Sequence, residues 1–169
     1  MREQLIEALR ASGLPPEVVT LVISMLPIVE LRGAIPWAIM IEGLGWPRAY
    51  VLSVLGNMIP VVPLLLFLGP VSDALRRFRF MDRFFDWLFA RTRRRSGAIE
   101  RFGPIGLVLF VAIPLPVTGA WTGSAAAFVF GIPFRTAFPI VLMGVCIAGC
   151  VVTLAVLGGV SLGGLLFSG

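Results

Sequence analysis

Leu26-Pro27-Ile28-Val29-Glu30-Leu31-Arg32-Gly33-Ala34-Ile35-Pro36 decides how the rest of the chain is read. It places a carboxylate and a guanidinium two residues apart, brackets them with prolines, and sits inside an apolar run. The apolar arm before it, Val18 to Leu26, would make ~14 Å of helix, and the arm after it, Ile35 to Leu44, ~15 Å. Each is about half of a ~30 Å hydrocarbon core. The expectation is a re-entrant hairpin: a half-helix in, an irregular tip near mid-membrane, a half-helix out. Broken backbone at that depth persists only where it is buried in protein or lines a wet cavity. An ionisable residue placed there is a candidate for function.

Composition supports a membrane setting. The 169 residues are 58% hydrophobic and 14% charged, with a mean hydropathy of +0.98, whereas soluble domains average ~25% charged. No apolar run precedes residue 18, so no cleavable leader is expected. All 14 basic residues are arginine, and histidine is absent. The pI near 10.9 brings nucleic acid to mind, but arginines outside an apolar core answer to membrane topology and anionic lipid. No nucleic-acid partner is expected. Cys146 and Cys150 read as small core residues, since a metal or redox site needs more ligands. No metal and no cofactor are expected.

Outward from the first hairpin, residues 2 to 13 carry the spacing of a short interfacial helix. Gly43 to Pro47 turn the chain, and Arg48 to Gly69 is long enough to span. Gly56, Pro60 and Pro63 should bend that helix. Asn57 should face other helices and bond across to them. Residues 71–101 break the pattern with nine arginines and four acids, which is the whole net charge of +5. This linker reads as an amphipathic helix on the membrane surface. It ends in Arg91, Arg93, Arg94 and Arg95, expected to meet anionic lipid on the cytoplasmic side. Gly103 to Ile113, the prolines Pro114 and Pro116, and Ala120 to Phe130 then repeat the hairpin design. Phe134 to Leu157 spans again. The tail from Gly158 has no clear placement.

The two halves, 18–70 and 103–158, match at an offset of 86 residues, Arg32-Gly33-Ala34 facing Thr118-Gly119-Ala120. A hairpin returns to its own side and the following helix crosses once, so the two halves would run in opposite senses. The fold class expected is an all-α polytopic membrane protein. Its unit is a re-entrant helical hairpin plus a transmembrane helix, present as an inverted repeat in one membrane domain. Interrupted helices at matching positions point to a mid-membrane binding site between the repeats. The alternative is four ordinary kinked crossings with parallel repeats. Against it stand Pro27, Pro36, Pro114 and Pro116, too many for a simple kink.

At the tips, Glu30 is costly as an ion in hydrocarbon, and Arg32 stays charged. They can pair, or Glu30 can gate Arg32 by taking up a proton. Thr118, Trp121, Thr122 and Ser124 offer hydroxyl and indole donors at the second tip. Half-helix N-termini aim N–H groups at an anion. The set suits a phosphate-like head group, with protons or cations as coupling partners. Arg48 and Arg135, each just after a turn, read as interfacial anchors. Catalysis fits poorly: Gly123-Ser124 lacks the histidine or paired carboxylates that would make a nucleophile.

Glu30-Leu31-Arg32-Gly33-Ala34-Ile35-Pro36 and Pro114-Leu115-Pro116-Val117-Thr118-Gly119-Ala120-Trp121-Thr122-Gly123 resemble the two signatures of the small multidrug export protein family. That family is similar to the DedA/VTT superfamily, and the likeness covers roughly residues 18–160. It implies two facing re-entrant hairpins, an acidic residue in the first and arginines in and after the second. It also implies movement of lipids, polyprenyl-phosphate carriers among them, with ion coupling, in a bacterial or archaeal cell membrane. Glu30 matches the acidic position, Pro114 the proline of the second tip, and Arg135 the arginine that follows. Where the second tip should carry an arginine this chain has Val117 or Thr118, and Arg32 is the nearest substitute.

The expectation is therefore a transporter or flippase for an amphiphile with an anionic head, coupled to protons or other ions. Its binding residues would be Glu30, Arg32, Gly33, Pro36, Pro114, Pro116, Thr118, Gly119, Trp121, Thr122 and Arg135. Export of small amphipathic drugs is the alternative. A non-transporting membrane scaffold is a third reading, and a homodimer is left open.

Overall fold

The computed structural model describes residues 13–75, 103–113 and 119–167. It is all-helical, with no strand among the described residues. The helices are α1 (Pro16–Met25), α2 (Glu30–Met40), α3 (Trp46–Met58), α4 (Val61–Leu75), α5 (Pro104–Ala112), α6 (Ala120–Val129) and α7 (Phe134–Phe167). Two apolar segments are long enough to cross a membrane: Trp46–Leu68, 23 residues of mean hydropathy 2.3, and Phe134–Gly159, 26 residues of mean hydropathy 2.8. These are the two expected spans. The terminal helix of residues 2–12 and most of the arginine-rich linker lie outside the described residues, as do Pro114, Pro116 and Thr118.

The chain divides into two compact units. The first holds Met1–Asn57 and Cys146–Gly169. Its two short helices α1 and α2 pack against each other, burying Val19, Ile23, Ala34, Trp37 and Ala38 with Ala49 of α3. Proline at the first position of α1 suits a helix start, where its missing N–H is not needed. The helix stops at Leu26, whose backbone is extended (ψ 130°). Pro27 explains the stop, because proline disfavours helical backbone in the residue before it.

The irregular tip is shorter than the sequence pattern implied. The second arm begins at Glu30, not at Ile35. Pro36, the seventh residue of α2, lies inside the helix and does not end it: proline's fixed φ is already helical, although the ring has no N–H to give the preceding turn. Glu30, Arg32, Gly33 and Pro36 therefore stand on the first turns of a helix.

The second unit holds Met58–Val145. Here α6 packs against both α5 and α4, with Leu107, Val111, Ala126, Ala127 and Val141 fully or almost fully buried. Helix α6 ends at Gly131, where φ is +65°. The Gly131 and Ile132 N–H groups turn back to Phe128 O and Ala127 O at 3.0 and 2.8 Å. This closure needs a left-handed residue, which glycine adopts without penalty. Gly43, with φ +66°, does the same after α2, where Leu44 N–H reaches Ala38 O at 2.9 Å.

Outward apolar residues recur at helical spacing on both long segments: Val51, Leu55, Ile59, Val62 and Leu66 on one, Met143, Ile147, Val151 and Leu154 on the other. A continuous apolar stripe of that length faces lipid rather than water. Cys150 belongs to this exposed side and Cys146 is half-buried, so the pair are not the core residues expected. Tyr50 draws them outward: its hydroxyl donates to Cys146 O at 3.1 Å and accepts from Cys150 Sγ at 3.7 Å.

In each unit glycines set how closely the helices approach. A Cβ on Gly56 would collide with Leu21 O and come within 2.8 Å of Ser24 Cβ. A Cβ on Gly144 would come within 2.6 Å of Val111 Cβ and 3.1 Å of Val108 O. Gly56→Ala is thus expected to push α1 off α3 and lower stability by about 1–3 kcal/mol. Gly158→Ala, with nothing within 4 Å, should be neutral or slightly stabilising. Thermal melts of the two variants in detergent compare them directly.

Candidate functional site

Glu30 opens α2 with a backbone found nowhere else among the described non-glycine residues: its φ is +52°. A left-handed residue with a Cβ costs ~1–2 kcal/mol, and such outliers persist where the surroundings hold them. Two hydrogen bonds do so here. Glu30 N–H reaches Leu26 O at 2.9 Å, and Gly33 N–H reaches Val29 O at 3.1 Å. Gly33 also makes room for Val29, whose side chain occupies the place of a Cβ. The Glu30 carboxylate is thereby turned inward, and the residue is only 7% exposed.

Arg32 follows from the opposite side of the first turn. Its Nη2 lies 4.0 Å from Glu30 Oε2, the outer edge of an ion pair, and its side chain keeps 19% exposure. Glu30 gains a second favourable partner in the N-terminal end of α2, which carries partial positive charge. The first tip is thus a buried carboxylate held by strained backbone beside a partly open guanidinium.

The second tip is described only from Gly119 onward. Gly119 is buried and caps α6. Thr122 Oγ1 donates to Gly119 O at 3.3 Å, and Ser124 Oγ donates to Ala120 O at 2.7 Å. Each hydroxyl has one proton, so both are committed to their own helix and offer lone pairs, not the donors expected of them. This is the usual behaviour of serine and threonine where water is scarce.

Half-buried Trp121 turns into an open groove of about 220 Å³, shared with Pro60, Pro63, Leu64, Phe67 and Leu68. The lining is apolar throughout. Sequence reading assigned Trp121 to the site but not the residues that share its groove; the paired prolines Pro60 and Pro63 beside aromatic Phe67 were the available signal. Arg48 and Arg135 are both exposed near the start of their helices, as interfacial anchors would be. Asn57 is buried as expected, but its Oδ1 has no hydrogen-bond partner among the described residues, so the cross-helix bond is not made there. No cluster of three metal-ligating side chains occurs among the described residues.

Two long apolar segments, two packed pairs of short helices and a buried carboxylate at one tip mark a helical membrane protein. The chain belongs to the family described as "putative small multi-drug export protein", whose model matches residues 30–151. The matched stretch begins at Glu30 itself and takes in both tips. Comparison with curated proteins gave no match, and comparison with solved structures gave none.

The tip makes a stability prediction. Breaking a fully buried ion pair costs ~3–5 kcal/mol. With Arg32 one-fifth exposed and the pair at 4.0 Å, Glu30→Gln should cost less and leave the protein folded, its melting temperature lowered by a few degrees. A loss on the scale of a fully buried pair, restored when Arg32→Gln is added, would reduce Glu30 to a neutralising partner.

Proposed function

We propose that this chain is a membrane transporter that moves an amphiphile with an anionic head group, coupled to protons or other ions through Glu30. The observation that carries the proposal is the left-handed, buried Glu30 beside Arg32. Strain and a buried charge are retained together where they serve a site. Arg32 is the group fitted to a phosphate-like head, because a guanidinium presents several donors in a planar fork. Proton uptake by Glu30 would leave Arg32 without its counter-charge and raise its affinity for an anion. Family membership supports export as the general activity. The likeness of both tips to DedA-like signatures supports a lipid as cargo, a polyprenyl phosphate or a phospholipid. The groove beside Trp121 is open and apolar, as a route for a hydrocarbon chain requires.

The reading includes inverted repeats of re-entrant hairpins. Arms of 10 and 11 residues reach only ~15–17 Å as helix, and they pack side by side, whereas the arms of a kinked span would run on from one another. Landmarks also recur between the halves. Gly43 and Gly131 are 88 residues apart with the same φ. The contact of Gly56 with Leu21 and Ser24 has its counterpart in that of Gly144 with Val108 and Val111. The correspondence runs at 87–88 residues, close to the offset of 86 read from the sequence.

A second reading, export of small amphipathic drugs, is favoured by the family description. Proteoliposomes loaded with labelled polyprenyl phosphate, or with a fluorescent amphiphilic cation, separate the two. The expected result is movement of the phosphate lipid, stimulated by a proton gradient in the wild type and insensitive to it in Glu30→Gln. Movement of the cation alone would favour drug export, and unchanged gradient dependence in Glu30→Gln would remove that residue from coupling.

Topology provides an independent check. With inverted repeats and a cytoplasmic linker, a label at the N-terminus should react from outside the cell and one at Arg93 only from inside. Labels reacting on the same face would replace the hairpins with four ordinary crossings.

A further inference from the structure

Ser53 and Asn57 stand one turn apart on α3, 0% and 1% exposed. Neither Ser53 Oγ nor Asn57 Oδ1 has a hydrogen-bond partner among the described residues. Leaving such groups unpaired in a water-free setting costs several kcal/mol in general, so a seam that collects two of them calls for an occupant. A second observation says which kind. Helix α3 ends at Met58, near the middle of the 23-residue apolar segment Trp46–Leu68. Pro60 has no N–H to give the Gly56 carbonyl, and the last turn of a helix carries partial negative charge.

The surroundings add oxygen and no charge. Gly56 abuts Leu21 O and Ser24. Ser24 gives its proton to Thr20 O at 2.7 Å, so its oxygen presents lone pairs only. Around α3, Ala49 and Gly56 face the first hairpin, while Tyr50 and Val54 face Gly149 of α7. Ser53 and Asn57 fall between those two sides, in the seam of α1, α3 and α7, all within the first unit. Asn57 Oδ1, Ser53 Oγ, the Gly56 carbonyl and Ser24 Oγ are mostly acceptors. A water molecule there could receive a proton from Ser53 alone, whereas a cation takes lone pairs from every oxygen of the set directly. Divalent ions favour carboxylates or retained water, and this set is neutral.

We infer that the seam at the broken end of α3 binds a partly dehydrated monovalent cation, sodium by size, on Asn57 Oδ1, Ser53 Oγ and the Gly56 carbonyl. Unwound carbonyls and helix C-terminal ends hold such ions in transporters built from interrupted helices. The site lies beside Ser24 of α1, two residues before the tip segment begins at Leu26. The ion's part in coupling rests on the transport reading above; its binding does not.

The test uses the full chain purified in detergent. Thermal unfolding is compared in sodium, potassium and choline chlorides at equal ionic strength, and retention of radiolabelled sodium is measured alongside. Sodium should raise the melting temperature by a few degrees over choline, as a ligand specific to the native state does. Ser53→Ala should weaken that dependence about tenfold, the effect of ~1.4 kcal/mol, and Asn57→Leu should abolish it and the retained label. Identical melting in the three salts with no label retained by the wild type overturns the inference. So does an Asn57→Leu protein that becomes equally more stable in every salt, the behaviour of a merely orphaned amide. If the labelled lipid moves equally well in choline and no sodium is retained, the transport reading stands and the sodium site falls.

Discussion

A helix of ten residues leaves four N–H groups unpaired at its start and four C=O groups at its end, and hydrocarbon supplies nothing to pair them with. That constraint governs this chain, because its described residues include four short helices that end where an ordinary span would continue. Each end finds its own remedy. Proline starts α1 and α5, where an N–H would be wasted. Left-handed glycines fold the chain back over the carbonyls of α2 and α6. At the first tip no glycine stands at the left-handed position, and Glu30 takes it at a cost in strain. The same residue then carries the buried carboxylate, so strain and charge are concentrated on one side chain.

Close helix approach is the second condition. With apolar solvent on the outside, helices in a membrane gain little from hydrophobic burial and depend on packing between small residues. Gly56 admits the backbone of α1 at Leu21, and Gly144 admits that of α5 at Val108. Ser24, Ser53, Ala126 and Ala127, all fully buried, continue the same small-residue surface in their own units. Large apolar side chains such as Leu154 and Phe67 are left on the outside, the reverse of their place in a water-soluble domain.

Much of this was legible in the sequence. Apolar length marked both spans to within a few residues, and the prolines with glycines between them marked both interruptions. The start of α2 was misplaced because Pro36 reads as a breaker, whereas here the helix runs through it without the hydrogen bond that proline cannot donate. The burial of Glu30 could be anticipated; its left-handed backbone could not, since glutamate has no local preference for it and only the surrounding bonds impose it. The second tip misled in another way. Thr122 and Ser124 are donors by composition, but a hydroxyl in a dry helix turns to the nearest carbonyl of its own backbone, and only coordinates reveal that choice. The groove beside Trp121 draws on residues more than fifty positions apart, beyond the reach of any local pattern.

The shortness of the hairpin arms also bears on how the protein is made. A segment of ten or eleven apolar residues falls well below the ~20 that the membrane-insertion machinery needs to recognise a crossing. Neither α1 nor α2 qualifies by itself, and both leave the ribosome before the long apolar segment Trp46–Leu68. That stretch is long and apolar enough to cross a membrane, so it can serve as a partner on which the shorter α1 and α2 enter. Gly56 lies within that partner, on the face that receives α1. If the arms are re-entrant as proposed, biogenesis of the first half would run against the order of synthesis, with the later helix acting as template for the earlier ones.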